Sequence, residues 1–202
     1  AKYRPDEIYN LAAQSHVKVS FDIPEHTVDG VAMGTLRILE AIRNIAPSCK
    51  FYQASSSEMF GDNPNTPFNE ESRFLPASPY ACAKVFAHNL IRNYRKSYGI
   101  FTLAAANIKL DKQKYIELGN LEPHRDWGFA GDYVEAMWLM LQQDTPDDFV
   151  ISTGETHSVK EFLEEVWKVA ELGDVEKHLK INKRLFRLHE VPYLLGDSSK
   201  AQ

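Results

Sequence analysis

Two residues capable of acid–base chemistry, Tyr80 and Lys84, stand four positions apart in the sequence. Residues i and i+4 share a face of a helix, so a phenol and an ammonium would be neighbours there. The ammonium favours the phenolate, and we expect it to lower the pKa of Tyr80 from about 10 toward neutral pH. Ser56 and Glu58 add a hydroxyl and a carboxylate upstream. The four side chains predict a catalytic site for proton and hydride chemistry on a sugar carbon.

Both motifs also have an ordinary structural interpretation. A Tyr-x-x-x-Lys spacing occurs by chance in many chains and often gives only a surface contact along a helix. The run Ser55-Ser56-Ser57-Glu58 follows an apolar segment and is equally typical of a polar turn that caps a helix. The position of Tyr80 favours the functional interpretation, because Pro79 places it at a helix start after a long loop.

The elements that must position these residues follow from apolar periodicity and from Gly and Pro punctuation. Strand patterns and helix patterns alternate along the chain, which predicts an α/β fold with a parallel sheet covered by helices. We expect a surface loop at 61–78 and a capping box at Ser158 and Glu161. The expected strands are 7–13, 50–55, 101–106 and 149–152, and the expected helices are 27–46, 79–98, 131–143 and 158–171.

Composition narrows the classes of function. A net charge of −5 over 202 residues argues against nucleic acid or an anionic membrane as the main partner. No apolar run approaches the roughly 20 residues of a membrane span. Only two cysteines, Cys49 and Cys82, indicate a reducing compartment, and we expect a cytoplasmic protein. The histidines and cysteines lack metal-ligand spacing, so we expect no metal site.

A second group of polar residues consists of Arg125, Arg187 and Glu190. A guanidinium binds oxyanions through two parallel hydrogen bonds, so the arginines are candidates for contact with a diphosphate. A carboxylate accepts N–H groups, so Glu190 is a candidate for contact with a guanine base. The competing interpretation is a pair of structural salt bridges.

Four segments of the chain together resemble the GDP-mannose 4,6-dehydratases, a family of extended short-chain dehydrogenase/reductases. The segments are 10–17 (NLAAQSHV), 55–61 (SSSEMFG), 78–84 (SPYACAK) and 125–138 (RDWGFAGDYVEAMW). The resemblance implies a Rossmann-type doubly wound parallel sheet with a smaller C-terminal substrate-binding lobe. It places the dinucleotide-binding domain at 1–108 and most of the substrate lobe at 109–202, with 129–153 returning to the first domain.

The resemblance also implies a reaction. GDP-mannose would be converted to GDP-4-keto-6-deoxymannose beside bound NADP, with NAD the less expected cofactor, as a step toward sugars such as GDP-fucose. Tyr80, assisted by Lys84, would take the proton of the sugar 4-hydroxyl. Ser56, where the family usually has Thr, would hold the same oxygen, and Glu58 would remove the C5 proton. The enzyme would be a homodimer or homotetramer.

Binding residues follow from the same resemblance. Arg125, Arg187 and Glu190 match positions that hold the GDP part of the substrate, whereas Ser56 would contact its sugar. The residues expected to bind the cofactor are Leu11, Ala12, Ala13, Gln14, Ser15, His26, Tyr80 and Lys84.

Some family features are absent from the sequence. It contains no G-x-G-x-x-G motif, and only Asn107-Ile108 stands where the family has a loop after Ala106. We therefore expect a piece of a longer protein, with residues missing at the N-terminus, near 106–109 and after 202. Two alternatives stay open: another nucleotide-sugar dehydratase, decarboxylase or epimerase of the superfamily, or an inactive module that keeps only the fold.

Overall fold

The computed structural model describes residues 3–100, 102–105, 116–170 and 173–202, with the backbone alone at 102–105 and 116. The helices are α1 (Val17–Asp22), α2 (Pro24–Val28), α3 (Gly34–Ile45), α4 (Pro79–Tyr98), α5 (Ala130–Gln142) and α6 (Val159–Val169). The strands are β1 (Glu7–Asn10), β2 (Lys50–Ala54), β3 (Thr102–Ala105), β4 (Ile116–Leu118), β5 (His124–Arg125), β6 (His157–Ser158) and β7 (Leu179–Ile181). Short turns of 3-10 helix lie at Ser57–Met59, Val175–Lys177 and Lys183–Leu185, and a π-helical turn at Asp29–Met33 joins α2 to α3.

A parallel sheet in the order β1-β2-β3 forms the framework. Asn10 pairs with Gln53, and Ala54 pairs with Ala105, so the carboxyl ends of the three strands lie side by side. Parallel strands need helical crossovers, which α1 to α3 supply after β1 and α4 supplies after β2. The loops that follow the strand ends are where open α/β sheets place their sites.

Helices cover both faces of the sheet. Successive side chains of β2 point to opposite faces, so neighbouring residues of this strand pack against different helices. Phe51 packs with residues of α3 and α4 such as Leu39 and Ile91. Tyr52, the next residue, packs with Met137 and other residues of α5 on the opposite face. This arrangement is the predicted α/β doubly wound fold of the Rossmann type.

The C-terminal part returns to the sheet end through a separate apolar cluster. Val191 and Leu194 are buried against Phe60 and Phe68, which belong to the loop after β2. The backbone of β5 pairs with the same returning segment, since His124 N donates to Pro192 O at 2.8 Å. These contacts fix residues near 190 beside the carboxyl edge of the main sheet.

Most predicted elements are present, with shifted ends. β1 stops at Asn10, so 11–13 form a loop, and the predicted helix 27–46 begins earlier, at Pro24, through the π-helical turn. The capping box at Ser158 and Glu161 is confirmed. The short helix α1 and the small strands β4 to β7 were not predicted, because segments of two to six residues carry too little periodicity.

The predicted strand at 149–152 is wrong. Phe149 and Ile151 do pack against the α5 side of the core, as their apolar character indicates. The backbone N–H of Val150, however, donates to the carboxylate of Glu70 at 2.7 Å instead of joining a ladder. The predicted break at 106–109 and the domain boundary at 108 lie outside the described residues.

No helix in the described ranges has the length and apolar character that crossing a membrane requires.

Gly61 is required by the turn after β2. Its φ is +51°, and a Cβ at this position would overlap the backbone carbonyl of Leu75. Gly99, at the end of α4, has a φ of +65° but open space around its Cα. We expect Gly99→Ala to lower the free energy of unfolding by about 1–2 kcal/mol from the left-handed conformation alone.

Gly61→Ala should lower the free energy of unfolding by a further ~1–3 kcal/mol, because the loop backbone at Leu75 must move to make room for the new Cβ. Urea unfolding of the two variants measures the difference. Equal losses would mean that the Gly61 turn relaxes freely and that the close approach to Leu75 is unimportant.

Candidate active site

The start of α4 positions Tyr80 and Lys84. Ser78 caps the helix by accepting a hydrogen bond from Ala81 N at 3.1 Å, and Pro79 fits the first helical turn, where its missing N–H costs nothing. Both side chains are buried, and Lys84 Nζ lies 5.7 Å from the centroid of the Tyr80 ring. The predicted acid–base pair is therefore formed on one helix face.

Burial, rather than mutual attraction, governs the protonation of this pair. Burial raises the pKa of Tyr80, and the nearby charge of Glu58 raises it too, against a lowering by a hydrogen bond with Ser56. Burial also lowers the pKa of Lys84 to about 8. The expectation that Lys84 lowers the pKa of Tyr80 is thus wrong for the protein alone, because both groups are driven toward their neutral forms.

Ser56 and Glu58 follow the end of β2. Ser56 is in extended conformation, and its Oγ accepts a hydrogen bond from Glu58 N at 3.3 Å, which caps the 3-10 turn. Ser56 therefore caps this turn and also forms a hydrogen bond with Tyr80, so the structural and the functional interpretations do not exclude each other. Glu58 is only 6% exposed, so its carboxylate requires partners.

Two arginines supply those partners. Arg187 Nη1 lies 3.0 Å from Glu58 Oε1 and 3.1 Å from Glu190 Oε1. Arg125 Nη2 donates to Glu190 Oε1 at 2.9 Å and lies 3.6 Å from Glu58 Oε1. The predicted base and the three residues predicted to bind the GDP part thus form one network of two cations and two anions.

Arg125 is the structural centre of that network. Its Nη1 also donates to the backbone carbonyls of His124 (2.8 Å) and Val191 (3.0 Å). Burial lowers the pKa of Arg125, and the carboxylates of Glu58 and Glu190 oppose the shift. Arg125, Arg187 and Glu190 therefore do form salt bridges in the protein alone. These salt bridges hold the three residues near Glu58, at the end of β2.

The segment from Leu11 to Ser15 lies at the carboxyl end of β1. Leu11 and Ala12 are exposed there, whereas Ala13 packs beside Ala83, the neighbour of Lys84. Gln14 Oε1 accepts a hydrogen bond from Thr27 at 3.3 Å, which ties the segment to α2. The other predicted cofactor residue, His26, is exposed on α2 next to Thr27 and is not part of the Tyr80 and Glu58 cluster.

Sequence reasoning missed three buried polar residues beside the site. Asn10 and Gln53 bond to each other across β1 and β2 at 2.7 Å. Ser55 Oγ is buried without a hydrogen-bond partner among the described residues. The signal was present in the sequence, because an amide inside an otherwise apolar strand needs a partner. Within the same described ranges, no group of three or more His, Cys, Asp or Glu side chains could hold a metal ion.

Known proteins match this chain along its length. The sequence model of the GDP-mannose 4,6 dehydratase family matches residues 1–105 and 101–202. GDP-mannose 4,6 dehydratase 1 of Arabidopsis thaliana is 49% identical over 98% of the chain, which covers 62% of that protein. The chain thus spans about three fifths of that relative. Their alignment extends over 226 residues, more than the 202 present, so the relative has extra residues inside the matched region. This agrees with the expected internal gap.

Solved structures share the fold at low sequence identity. RMD from Pseudomonas aeruginosa, complexed with NADPH, superposes with a TM-score of 0.83 at 21% identity, over 99% of this chain and 74% of its own. The UDP-glucose 4-epimerase of Thermus thermophilus, in complex with NAD, gives a TM-score of 0.86 at 23% identity, over 99% of this chain and 71% of its own. These likenesses establish the fold.

The charge network makes a prediction about stability. Arg125→Gln leaves the buried Glu58 carboxylate and the half-buried Glu190 carboxylate with one guanidinium, and removing one partner of a buried ion pair costs about 3–5 kcal/mol of unfolding free energy. Arg37→Gln is the matched control, because Arg37 pairs with Asp29 at 2.7 Å on the exposed surface, where little change is expected. Chemical denaturation of both variants measures the contrast. A loss at Arg125 no greater than that at Arg37 would show that the network is not a structural element.

Proposed function

The chain belongs to the GDP-mannose 4,6-dehydratase family, and from this premise we propose that the protein converts GDP-mannose to GDP-4-keto-6-deoxymannose. One observation carries the proposal. A continuous line of contacts runs from Lys84 and Tyr80 through Ser56 to Glu58, and on through Arg187 to Glu190. Acid–base groups therefore stand at one end of the site and groups suited to a charged nucleotide at the other.

Tyr80 and Ser56 are proposed to act on the 4-hydroxyl of the sugar. Ser56 holds the oxygen, and Tyr80, as phenolate, accepts the hydroxyl proton while C4 becomes a ketone. A bound nicotinamide would supply the acceptor that takes the hydride from C4 and later gives it to C6. Because burial raises the pKa of Tyr80 in the protein alone, the proton transfer requires a cationic neighbour, and Lys84 is the cation nearest on the same helix face.

Glu58 is proposed as the base for elimination. The 4-ketone acidifies the adjacent C5 hydrogen, and Glu58 takes that proton. The electron pair forms a C5–C6 double bond, and the C6 hydroxyl leaves as water with the proton that Glu58 took from C5. After C6 is reduced, C5 takes up one proton, which balances the proton that Tyr80 removed from the 4-hydroxyl. The Arg187 guanidinium, 3.0 Å from Glu58 Oε1, holds the buried Glu58 carboxylate in place before substrate arrives.

The residues present fit the nicotinamide end of a dinucleotide. Lys84 Nζ makes one hydrogen bond among the described residues, to Ala54 O at 2.6 Å, which leaves ammonium protons for ribose hydroxyls. Ser55 Oγ is an orphaned polar atom at the same strand end, and residues 11–12 are exposed at the carboxyl edge. We propose NADP as the cofactor, held by the segment 11–15, Tyr80 and Lys84, with His26 nearby.

The substrate's GDP part is proposed to bind Arg125, Arg187 and Glu190. The guanidiniums suit the diphosphate and the carboxylate suits the guanine edge. A two-part organisation follows, with a cofactor domain at 1–108, a substrate lobe at 109–202 and 129–153 shared with the first. We further propose a cytoplasmic homodimer or homotetramer, a location that suits the free thiols of Cys49 and Cys82.

The first test is mass spectrometry of GDP-mannose after incubation of the purified full-length protein with NADP. We expect the loss of one water from GDP-mannose, and none from UDP-glucose or dTDP-glucose in parallel reactions. Dehydration of UDP-glucose or dTDP-glucose instead would favour another nucleotide-sugar enzyme. No change in any sugar, despite bound cofactor, would favour the inactive module.

Two variants separate the proposed steps. In Glu58→Gln, turnover should fall by ~100-fold or more, because the base is lost while C4 oxidation stays possible. Quenching with borodeuteride should then trap deuterium at C4 of a hexose that keeps its 6-hydroxyl. Tyr80→Phe should lower turnover as much and trap none, with GDP-mannose binding nearly intact. Wild-type turnover in either variant would remove that residue from the mechanism.

A further inference from the structure

A buried chain of hydrogen bonds joins Lys84 to the loop after β1. Asn10 Nδ2 donates to Gln53 Oε1 at 2.7 Å, and Gln53 Nε2 donates to Ala54 O at 3.0 Å. Lys84 Nζ donates to the same carbonyl oxygen at 2.6 Å. On the other side, Asn10 Oδ1 accepts from Ala12 N at 3.2 Å. Gln53 therefore stands between the proposed acid–base pair and the proposed cofactor segment.

The burial of Gln53 shows that this bonding is obligatory. Its side chain is among the largest that are fully buried, at 1% exposure, and Thr35 Oγ1 on α3 adds a contact to its Oε1 at 3.2 Å. A buried amide costs free energy unless both its oxygen and its nitrogen are bonded. Gln53 satisfies both within one network, which fixes the orientation of its amide.

The chemistry of the amide explains why glutamine suits this place. Its oxygen must accept from Asn10, and its nitrogen must donate to Ala54 O. An ionised carboxylate only accepts, and an aliphatic side chain does neither. Among the described residues, Lys84 Nζ donates a hydrogen bond only to the carbonyl oxygen of Ala54. A shift of that carbonyl moves the ammonium.

We propose that Gln53 is a positioning residue, which places the Lys84 ammonium through the Ala54 carbonyl and couples it to the 11–15 segment through Asn10. The proposal deepens the proposed function and rests on it for the role of Lys84. Gln53 acts through other residues and touches no reacting atom.

Gln53→Met tests the effect on turnover. Methionine has nearly the same length but makes neither hydrogen bond, so kcat should fall by ~10- to 100-fold through misplacement of Lys84, while KM for GDP-mannose stays within about twofold. Tyr52→Phe is the matched control. Tyr52 precedes Gln53 on β2 and is equally buried, but it points to the opposite face of the sheet. Its hydroxyl has no hydrogen-bond partner among the described residues. It should retain wild-type kcat.

Gln53→Glu tests the geometry without substrate or cofactor. The new carboxylate cannot donate to Ala54 O, but from the same position on β2 it would lie within about 6 Å of Lys84 Nζ, and an opposite charge at that range favours the ammonium. Burial is the one cause that shifts the pKa of Lys84 in the native protein, with Tyr80 the titratable group beside it. The ¹³Cε resonance of Lys84, assigned with Lys84→Arg, should therefore titrate about one pH unit higher in Gln53→Glu.

The two measurements distinguish the possible failures. Wild-type kcat in folded Gln53→Met, or an unchanged Lys84 titration in Gln53→Glu, would overturn the positioning role. If the native protein does not dehydrate GDP-mannose, the proposed function fails, and the Lys84 titration alone decides the role of Gln53. If Gln53→Met does not fold, the same titration decides.

Discussion

The buried carboxylate of Glu58 is the constraint on which the rest of the site depends. An ionised carboxylate removed from water must be paired, and its partner Arg187 lies 129 positions away in the sequence. The C-terminal segment must therefore return to the end of β2. The cluster of Phe60, Phe68, Val191 and Leu194 provides the apolar contact that brings it there. The charge network and this cluster thus stabilise the same junction.

The two ends of the site place opposite demands on their surroundings. Around Glu58, each charge has an opposite charge within 4 Å, so burial is tolerated. Around Tyr80 and Lys84, no such ion pair exists among the described contacts, and burial brings both groups toward neutrality. Burial therefore keeps the phenol protonated and weakens the affinity of the amine for its proton, so transfer of a proton from Tyr80 to Lys84 costs more in the protein alone than between the free groups.

Local patterns in the sequence were sufficient for much of this structure. The helix that carries Tyr80 and Lys84, the strand before Ser56 and the capping box at Ser158 each depend on neighbours within a few residues. The pairing of Glu58 with Arg187 and the failure of 149–152 to form a strand depend on side chains far away in the sequence, Arg187 and Glu70. The pKa of Tyr80 was misjudged for the same reason, because burial is a property of the packed molecule.

The fold itself does not decide which reaction the site performs. A UDP-glucose 4-epimerase shares this sheet at a TM-score of 0.86, although its name describes epimerisation and not dehydration. The difference must lie in the side chains that the common strand ends present. Here β2 is followed by a carboxylate that two arginines hold beside a tyrosine, and a base in that position is what elimination requires and simple hydride exchange at C4 does not. Under the proposed function, the chemistry that distinguishes this site would therefore reside in Glu58 and in the two arginine contacts that hold it.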